Sequence, residues 1–198
     1  ALGVIVLVLV AMSTLRFKKK LKREGREMAR PRGAIDIRVI EAASRRFLED
    51  GVDGASLREI ARDARTSVGM VSYYFPTKDA LFAAVVERSY TRVLRDLAES
   101  LASPATFELR VERLHARLSA MSDDEFLVLR LVMREVLLSS PRTPALLERF
   151  SRGHIPMLLQ SIAEAFREGE VRPELSPLAV VVSLATASLG AQLAGRLL

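Results

Sequence analysis

The sequence predicts an all-α fold of about nine helices, with a three-helix N-terminal domain followed by a larger helical domain. Apolar residues recur at helical spacing in every long segment after Met28, and no alternating strand pattern of useful length interrupts them. Serine, threonine, glycine and proline residues stand where such helices would begin and end. The chain has 198 residues, of which 49% are hydrophobic, so it can bury a substantial core.

Charge and cysteine content limit the classes of protein to consider. The net charge is +6, but residues 16–32 alone carry nine Lys or Arg against two Glu. The rest of the chain holds 21 positive and 22 negative charges, so the folded part is nearly neutral. The sequence has no cysteine, which excludes disulfides, thiolate metal sites and a cysteine nucleophile, and fits a cytoplasmic location.

The first 27 residues form an apolar and basic extension that has two interpretations. Ala1–Met12 is an uninterrupted apolar run, but as a helix it would reach only ~18 Å, short of the ~30 Å of a bilayer core. It is therefore either the end of a membrane anchor or a segment upstream of a native start at Met28. A signal peptide is disfavoured because the basic residues follow the apolar run.

A first helix is expected from Ala34 or Ile35 to Leu48. Gly51 and Gly54 follow it closely, and glycine accommodates the positive φ that often ends a helix. The next segment begins with Ser56-Leu57-Arg58-Glu59, which has the spacing of a capping box. Its apolar residues then recur at i, i+3, i+4 and i+7, which predicts a short helix.

A tight turn and a second short helix follow, and together they suggest a helix-turn-helix. Ala64-Arg65-Thr66 supplies the turn, and Ser67 can cap a helix that runs to about Phe75. Val71 faces inward on this helix, whereas Gly69 and Tyr73 face outward. Spacing alone is equally compatible with any helical hairpin.

The remaining helices are defined by apolar stripes and by breaks between them. A long helix is expected from Lys78 to about Leu101, preceded by Thr77 as its cap. Ser103-Pro104 ends it, and five more helices follow. Their expected first residues are near Phe107, Glu125, Pro144, Ile155 and Leu178, the last with Ser176 as cap and Pro177 at the first helical position.

The stretch from Arg38 to Leu81 resembles the DNA-binding domain of the TetR family of transcriptional regulators. The resemblance covers about a quarter of the chain and is carried by RVIEAASRRFLEDGVDGASLREIA and TSVGMVSYYFPTKDAL. It implies a DNA-binding domain over residues 28–80 and an effector-binding and dimerisation domain over residues 81–198. The matching landmarks are Ala43, Phe47, Gly51, Ser56, Ile60, Ala61, Ser67, Gly69, Tyr74, Phe75, Lys78 and Leu81.

The resemblance implies that the second short helix enters the major groove of DNA. The contacts it implies are made by Thr66, Ser67, Val68, Gly69, Met70, Ser72, Tyr73 and Tyr74, with Lys78 on a phosphate. Two departures from the family pattern stand out. Ser72 replaces a common tyrosine, and Arg65 replaces a common glycine, at a cost of about 1–2 kcal/mol if that residue is left-handed. Tyr74 is equally compatible with packing on the buried side.

Candidate effector-binding residues are the aromatic, methionine, arginine and histidine side chains of the second domain. Each of them has a simpler explanation. The aromatic and methionine side chains can pack in the core, the arginines can form ion pairs with neighbouring helices, and the histidine can lie on the surface. A row of small residues near the C-terminus, Ala187, Gly190, Ala191 and Ala194, permits close helix packing, as in TetR-like dimers. The effector candidates are Phe107, Phe126, Arg130, Met133, Arg134, Phe150, His154 and Met157.

These observations favour a homodimeric transcriptional regulator, more readily a repressor than an activator, that binds double-stranded operator DNA. A small-molecule effector would favour a dimer geometry that no longer fits successive major grooves. We expect no cofactor, no metal and no enzymatic activity, because no catalytic triad, phosphate loop or metal-ligand cluster is present and only two histidines occur. The alternative is a membrane-tethered regulator or helical adaptor anchored by the N-terminal apolar segment.

Overall fold

The computed structural model describes residues 34–102 and 105–197, and these residues form nine helices. This confirms the predicted all-α fold. Within α1, Gly51 is not helical and marks a kink. The helices are α1 (Ala34–Gly54), α2 (Leu57–Asp63), α3 (Val68–Tyr74), α4 (Lys78–Ala102), α5 (Phe107–Ser119), α6 (Asp123–Leu137), α7 (Thr143–Ser151), α8 (His154–Arg167) and α9 (Pro177–Leu197).

The described chain forms two compact units. The head unit consists of residues 34–91 together with residues 123–138, and the body unit consists of residues 92–102, 105–122 and 139–197. The division falls inside α4, after Thr91. The functional boundary expected near residue 80 stays a prediction.

The core of the head unit is built on α1, which packs against α2, α3 and α6. Val39, Ala43 and Phe47 have no exposed surface, as their spacing of four residues along one helical face predicts. The Phe47 ring lies 6.4 Å from the ring of Phe82, between centroids. This packing holds the two short helices of the predicted DNA-binding motif on a rigid support.

Helix α6 belongs to the head unit although it follows α1 by more than sixty residues. Its Arg134 donates from Nη1 to the backbone carbonyl of Leu48 over 3.1 Å. Gly51 lies directly beneath the same guanidinium with φ of 78°. A Cβ atom at that position would come within 3.0 Å of Arg134 Nη2. The backbone conformation therefore favours glycine at this position, and a Cβ there would also displace the guanidinium by a few tenths of an ångström.

The caps at the helix starts largely match the sequence prediction. Thr77 Oγ1 accepts from the Ala80 amide at 3.0 Å, and Ser176 Oγ accepts from the Ala179 amide at 3.1 Å. The predicted capping box at Ser56 is wrong, since the Ser56 side chain makes no capping hydrogen bond. The Glu59 carboxylate of that motif lies near Arg46 and Arg62 instead, at 3.9 and 3.8 Å.

The body unit brings α5, α8 and α9 into mutual contact, and α7 packs on α8. Arg110 on α5 pairs with Glu164 on α8 at 2.9 Å, and Arg117 on α5 pairs with Asp96 at 2.6 Å. The Glu170 carboxylate accepts from the Phe107 amide at the start of α5. These polar contacts fix the position of α5 in addition to its apolar face.

None of the helices in the described ranges is both long enough and apolar enough to cross a bilayer. The candidate anchor Ala1–Met12 and the basic residues 16–32 lie outside those ranges.

Candidate nucleic-acid interface

Helix α3 is held by one buried residue and one cap. Val71 has no exposed surface, so it anchors the helix on the head unit. Ser67 Oγ accepts from the Met70 amide at 3.2 Å, which confirms the predicted cap. The helix ends where the Phe75 amide donates to the Val71 carbonyl at 2.8 Å. Its length, boundaries and buried side agree with the sequence prediction.

The opposite side of α3 faces outward. Tyr73 keeps 56% of its surface exposed and Val68 keeps 38%, although both have large apolar parts. Ser67, Gly69 and Ser72 are exposed as well. The remaining predicted DNA contacts on this segment, Thr66, Met70 and Tyr74, are half-buried. The structure therefore brings the predicted residues together on one surface, with Tyr74 at its edge.

Tyr73 and Tyr74 contact each other edge to face, with ring centroids 5.3 Å apart and planes at 84°. Tyr74 also lies 6.4 Å from Phe75, which belongs to the packed side. An edge-to-face pair is a favourable aromatic arrangement. It restrains the exposed Tyr73 ring through its half-buried neighbour.

Gly69 is not required by contacts within the head unit. A Cβ atom there would meet only Ser67 Oγ, at 3.8 Å, which is an ordinary distance. Gly in a helix is less favourable than Ala by about 1 kcal/mol. Packing among the described residues therefore does not require glycine at this position.

The turn between α2 and α3 is a Schellman motif without glycine. The Thr66 amide donates to the Ala61 carbonyl at 2.9 Å and the Arg65 amide donates to the Arg62 carbonyl at 3.0 Å. Arg65 takes the left-handed conformation, with φ of 53°. The Ala64 carbonyl accepts from Arg38 Nε at 3.1 Å. The left-handed arginine considered in the sequence analysis is therefore present.

An ionic cluster connects α1 to α2. Arg46 Nε donates to Asp63 Oδ2 at 2.7 Å, and Arg46 also lies 3.9 Å from Glu59. The hydrogen bond from Arg46 lowers the pKa of the Asp63 carboxyl. Because each of these groups is partly exposed, the cluster adds modestly to stability but limits how α2 can move.

Lys78 begins α4 beside the predicted interface. Its Nζ donates to the backbone carbonyl of Asp53 at 2.6 Å. An ammonium group has three donors, so this bond leaves two for other acceptors. The phosphate contact expected of Lys78 stays a prediction.

The predicted effector residues are distributed over both units. In the head unit, α6 carries the exposed Arg130, the half-buried Phe126 and Met133, and Arg134 on the Leu48 carbonyl. The simpler explanation offered for Arg134 was pairing with a carboxylate. In the structure its partner is the backbone carbonyl of Leu48 instead. In the body unit, Phe150 is buried, while Phe107, His154 and Met157 are half-buried.

His154 lies against Phe150, with ring centroids 5.2 Å apart. Burial, reinforced by the charge of Arg149, lowers the pKa of His154 to about 4. His154 is thus half-buried against Phe150, and its role in binding an effector stays a prediction. Glycine at position 153 begins α8 without a side-chain cap, and this start brings the ring of His154 over the preceding helix.

The body unit contains a pocket with an empty volume of about 230 Å³, part of it open to solvent. Apolar side chains from α4, α5, α8 and α9 line it, among them Phe107, Leu114, Leu158 and Leu184. Arg110 and Ser161 are its polar members. Of the residues that line the pocket, only Phe107 was among the predicted effector residues. The sequence signal for Arg110 was its position three residues after Phe107, on the apolar side of α5.

The predicted dimer residues lie on α9. Ala187 and Gly190 are exposed, and a Cβ atom at Gly190 would meet nothing within 4 Å. Ala191 and Ala194 belong to the same helix, but their side chains lie outside the described part of the structure. The dimer contact stays a prediction.

Comparison with known proteins finds a family match within the head unit. Residues 39–85 match the family described as bacterial regulatory proteins, tetR family. YttP of Bacillus subtilis, named as an HTH-type transcriptional regulator, is 32% identical over 106 residues, which are 52% of this chain and 51% of that protein. The chain therefore spans about half the length of this curated relative.

Two solved structures share the fold. A Clostridium perfringens protein assigned to regulation of fatty acid metabolism has a TM-score of 0.70 at 19% identity, over 79% of this chain and 84% of that one. AibR, whose structure contains isovaleryl coenzyme A and operator DNA, has a TM-score of 0.61 at 17% identity, over 79% and 82%. Structural similarity at such low sequence identity establishes the fold alone.

Proposed function

We propose that the chain, whose residues 39–85 match the tetR family of bacterial regulatory proteins, is a DNA-binding transcriptional repressor that a small molecule releases from its operator. The family is one of regulators rather than enzymes, in agreement with the absence of catalytic motifs from the sequence. The observation that carries the proposal is the exposed side of α3, on which Val68, Ser72 and Tyr73 surround a glycine that packing does not require.

This surface suits the major groove of DNA. A helix fits that groove only if the residues facing the bases are small or can reach their edges. Gly69 allows the close approach, Ser72 can donate or accept, and the Tyr73 hydroxyl can bind a phosphate. The start of α3 and Lys78 supply amide and ammonium donors for the phosphates on either side.

Dimerisation would present two copies of α3 to two half-sites. Helix α9 is mostly apolar, and its exposed Leu178, Ala187 and Gly190 support a contact with a second copy. A two-fold dimer binds a nearly palindromic operator whose half-sites are about one helical turn apart. Control by a small molecule is supported by the presence of both a coenzyme A ester and DNA in the AibR structure.

The test is binding of the full chain to the DNA upstream of its own gene, measured by fluorescence anisotropy at fixed salt. Tyr73→Ala should weaken specific binding about tenfold for each subunit, thus about a hundredfold for a dimer, because a hydrogen bond to a charged group is worth about 1.5–3 kcal/mol. Tyr73→Phe removes the hydroxyl but keeps the ring, so it separates their contributions to DNA binding. Leu138→Ala is the matched control, since Leu138 is 67% exposed in the head unit but lies outside α3.

Equal binding by the wild-type protein and Tyr73→Ala would refute the assignment of α3 as the reading helix. Binding that is equally tight on unrelated DNA of the same length would refute sequence-specific regulation. The membrane-tethered alternative depends on Ala1–Met12, outside the described residues, and carbonate extraction of membranes would distinguish it.

A further inference from the structure

Helix α3 carries no side chain that is charged at neutral pH and no side-chain amide. Its sequence is VGMVSYY, and the nearest charged residues along the chain, Arg65 and Lys78, lie outside it. Most of the usual base contacts in the major groove need such side chains: arginine or lysine for guanine, asparagine or glutamine for adenine, and aspartate or glutamate for cytosine. Helix α3 can make none of these contacts.

One usual base contact remains open to α3, because thymine presents a methyl group that apolar side chains can touch. Val68 keeps 38% of its surface exposed, whereas Val71 has no exposed surface and Met70 is half-buried. The branched Cβ of valine restricts its rotamers, so its methyl groups are held in place before DNA binds. Among the aliphatic side chains of α3, Val68 is therefore the best placed to contact a base.

The neighbours of Val68 leave room for it to approach the base edges. Gly69 follows it directly, and a Cβ atom at that position would meet only Ser67 Oγ, at 3.8 Å. Ser72 lies one helical turn after Val68 and is exposed. A side chain as short as valine reaches a base only where the backbone itself comes close to the groove, which a glycine beside it permits. Val68, Gly69 and Ser72 thus form a small, uncharged surface.

The structure assigns to Val68 the recognition of a thymine in each operator half-site, through contact between its isopropyl group and the 5-methyl group of the base. This inference rests on the proposed function, because it requires α3 to lie in the major groove. The Ser72 hydroxyl can donate to O4 of thymine, but a hydroxyl bonds to other bases as well and does not distinguish thymine from them. The preference for thymine therefore depends on its methyl group.

The test compares thymine with deoxyuridine, which lacks only the 5-methyl group. The full chain first selects its operator from a pool of random-sequence duplexes. The selected operator is then synthesised with deoxyuridine in place of each thymine in turn, in both half-sites together. At one thymine position the replacement should weaken binding about fourfold per half-site, thus about fifteenfold for a dimer, because one methyl group is no longer buried. Fluorescence anisotropy at fixed salt measures the affinity.

The Val68→Ala variant tests the protein side of the contact. It removes both methyl groups of the valine, so operators with thymine or deoxyuridine at that position should then bind within about twofold of each other. Leu109→Ala is the matched control, since Leu109 is also aliphatic and 37% exposed but lies in the body unit. It should leave the ratio between the two operators unchanged. Thermal unfolding of both variants shows whether the fold is kept.

A methyl group on a different base separates the apolar contact from hydrogen bonding. At the same position, a 5-methylcytosine·guanine pair keeps a methyl group in the major groove but replaces the O4 acceptor with an amino donor. The wild-type protein should bind this pair about fourfold more tightly per half-site than an unmethylated cytosine·guanine pair. Val68→Ala should not distinguish the two pairs.

Several results would overturn the inference. These are a selected half-site without thymine, no thymine at which deoxyuridine weakens binding, or a loss on deoxyuridine that is the same in the wild-type protein and in Val68→Ala. A protein that selects a defined operator but gives one of these results retains the proposed function without the thymine contact. A protein that selects no sequence refutes the proposed function and the contact together.

Discussion

The contact between Gly51 and Arg134 gives a sharp prediction for Gly51→Ala. Gly51 has φ of 78° and ψ of 163°, a conformation that is almost restricted to glycine. An alanine Cβ would lie 3.0 Å from Arg134 Nη2, so the guanidinium must also shift. Its hydrogen bond to the Leu48 carbonyl would then weaken. Both effects lower the free energy of unfolding of the head unit.

The two contributions can be separated in magnitude. The backbone conformation costs about 2 kcal/mol for a residue with a Cβ. Weakening a hydrogen bond from a charged donor adds about 1–2 kcal/mol. We therefore expect Gly51→Ala to destabilise the head unit by about 3–4 kcal/mol, but by only about 2 kcal/mol when Arg134→Met has already removed the guanidinium.

Urea unfolding followed by tyrosine fluorescence measures this directly. The chain has no tryptophan, and its three tyrosines, Tyr73, Tyr74 and Tyr90, all belong to the head unit, so the signal reports that unit. Gly169→Ala is the control. Gly169 has φ of 73°, but a Cβ there meets nothing within 4 Å and the residue lies in the body unit.

A double-mutant cycle supplies the decisive comparison. If Gly51→Ala cost the same with and without Arg134, the coupling energy would be zero and the proposed contact would carry no stability. If Gly51→Ala left the tyrosine transition unchanged, the backbone argument would also fail.

Three further predictions concern the turn, the phosphate contact and the buried histidine. Arg65→Gly should stabilise the head unit by about 1 kcal/mol in urea unfolding, because glycine adopts the left-handed conformation without the cost that a side chain carries; a loss of stability would contradict this. Lys78→Ala should reduce the slope of log affinity for DNA against log salt by about 1 for each subunit, thus by about 2 for a dimer, as expected for one phosphate contact per subunit; an unchanged slope would mean that the ammonium serves only the Asp53 carbonyl. The pKa of His154 is lowered from 6.5 to about 4, so the unfolded chain binds more protons and stability should fall by about 2–3 kcal/mol as pH drops through this range. His154→Gln should remove most of this dependence between pH 7 and 5, where the carboxyl groups stay ionised, and an unaltered pH profile would refute it.

The helices and their local caps could be predicted because both depend on residues close in sequence. The spacing of Val39, Ala43 and Phe47 identifies the buried face of α1, and Ser67 precedes α3 at the distance that a cap requires. The outward side of α3 followed from the same periodicity. Resemblance to a known family then indicated what that side contacts.

The contacts between distant segments could not be predicted in the same way. Periodicity shows that α6 has an apolar face, but not that this face packs on α1, so Arg134 was grouped with effector residues. Arg110 pairs with Glu164, 54 residues further along, and a single charge on an apolar stripe gives no sign of such a distant partner. The capping box was also predicted wrongly: Ser56 makes no side-chain capping bond, and the Glu59 carboxylate lies near Arg62 and Arg46.

The route of the backbone through the two units has a consequence for proteolysis. The polypeptide leaves the head unit after Thr91, returns at Asp123 and leaves again after Leu138. A protease that cleaves once between residues 92 and 122 therefore cannot release α1, α2 and α3 as a separate fragment, since α1 stays packed against α6, which is continuous with the rest of the polypeptide. A fragment that ends at residue 91 would also lose the helix that covers one side of α1. Nicked molecules should consequently co-elute on a sizing column and separate only in denaturant.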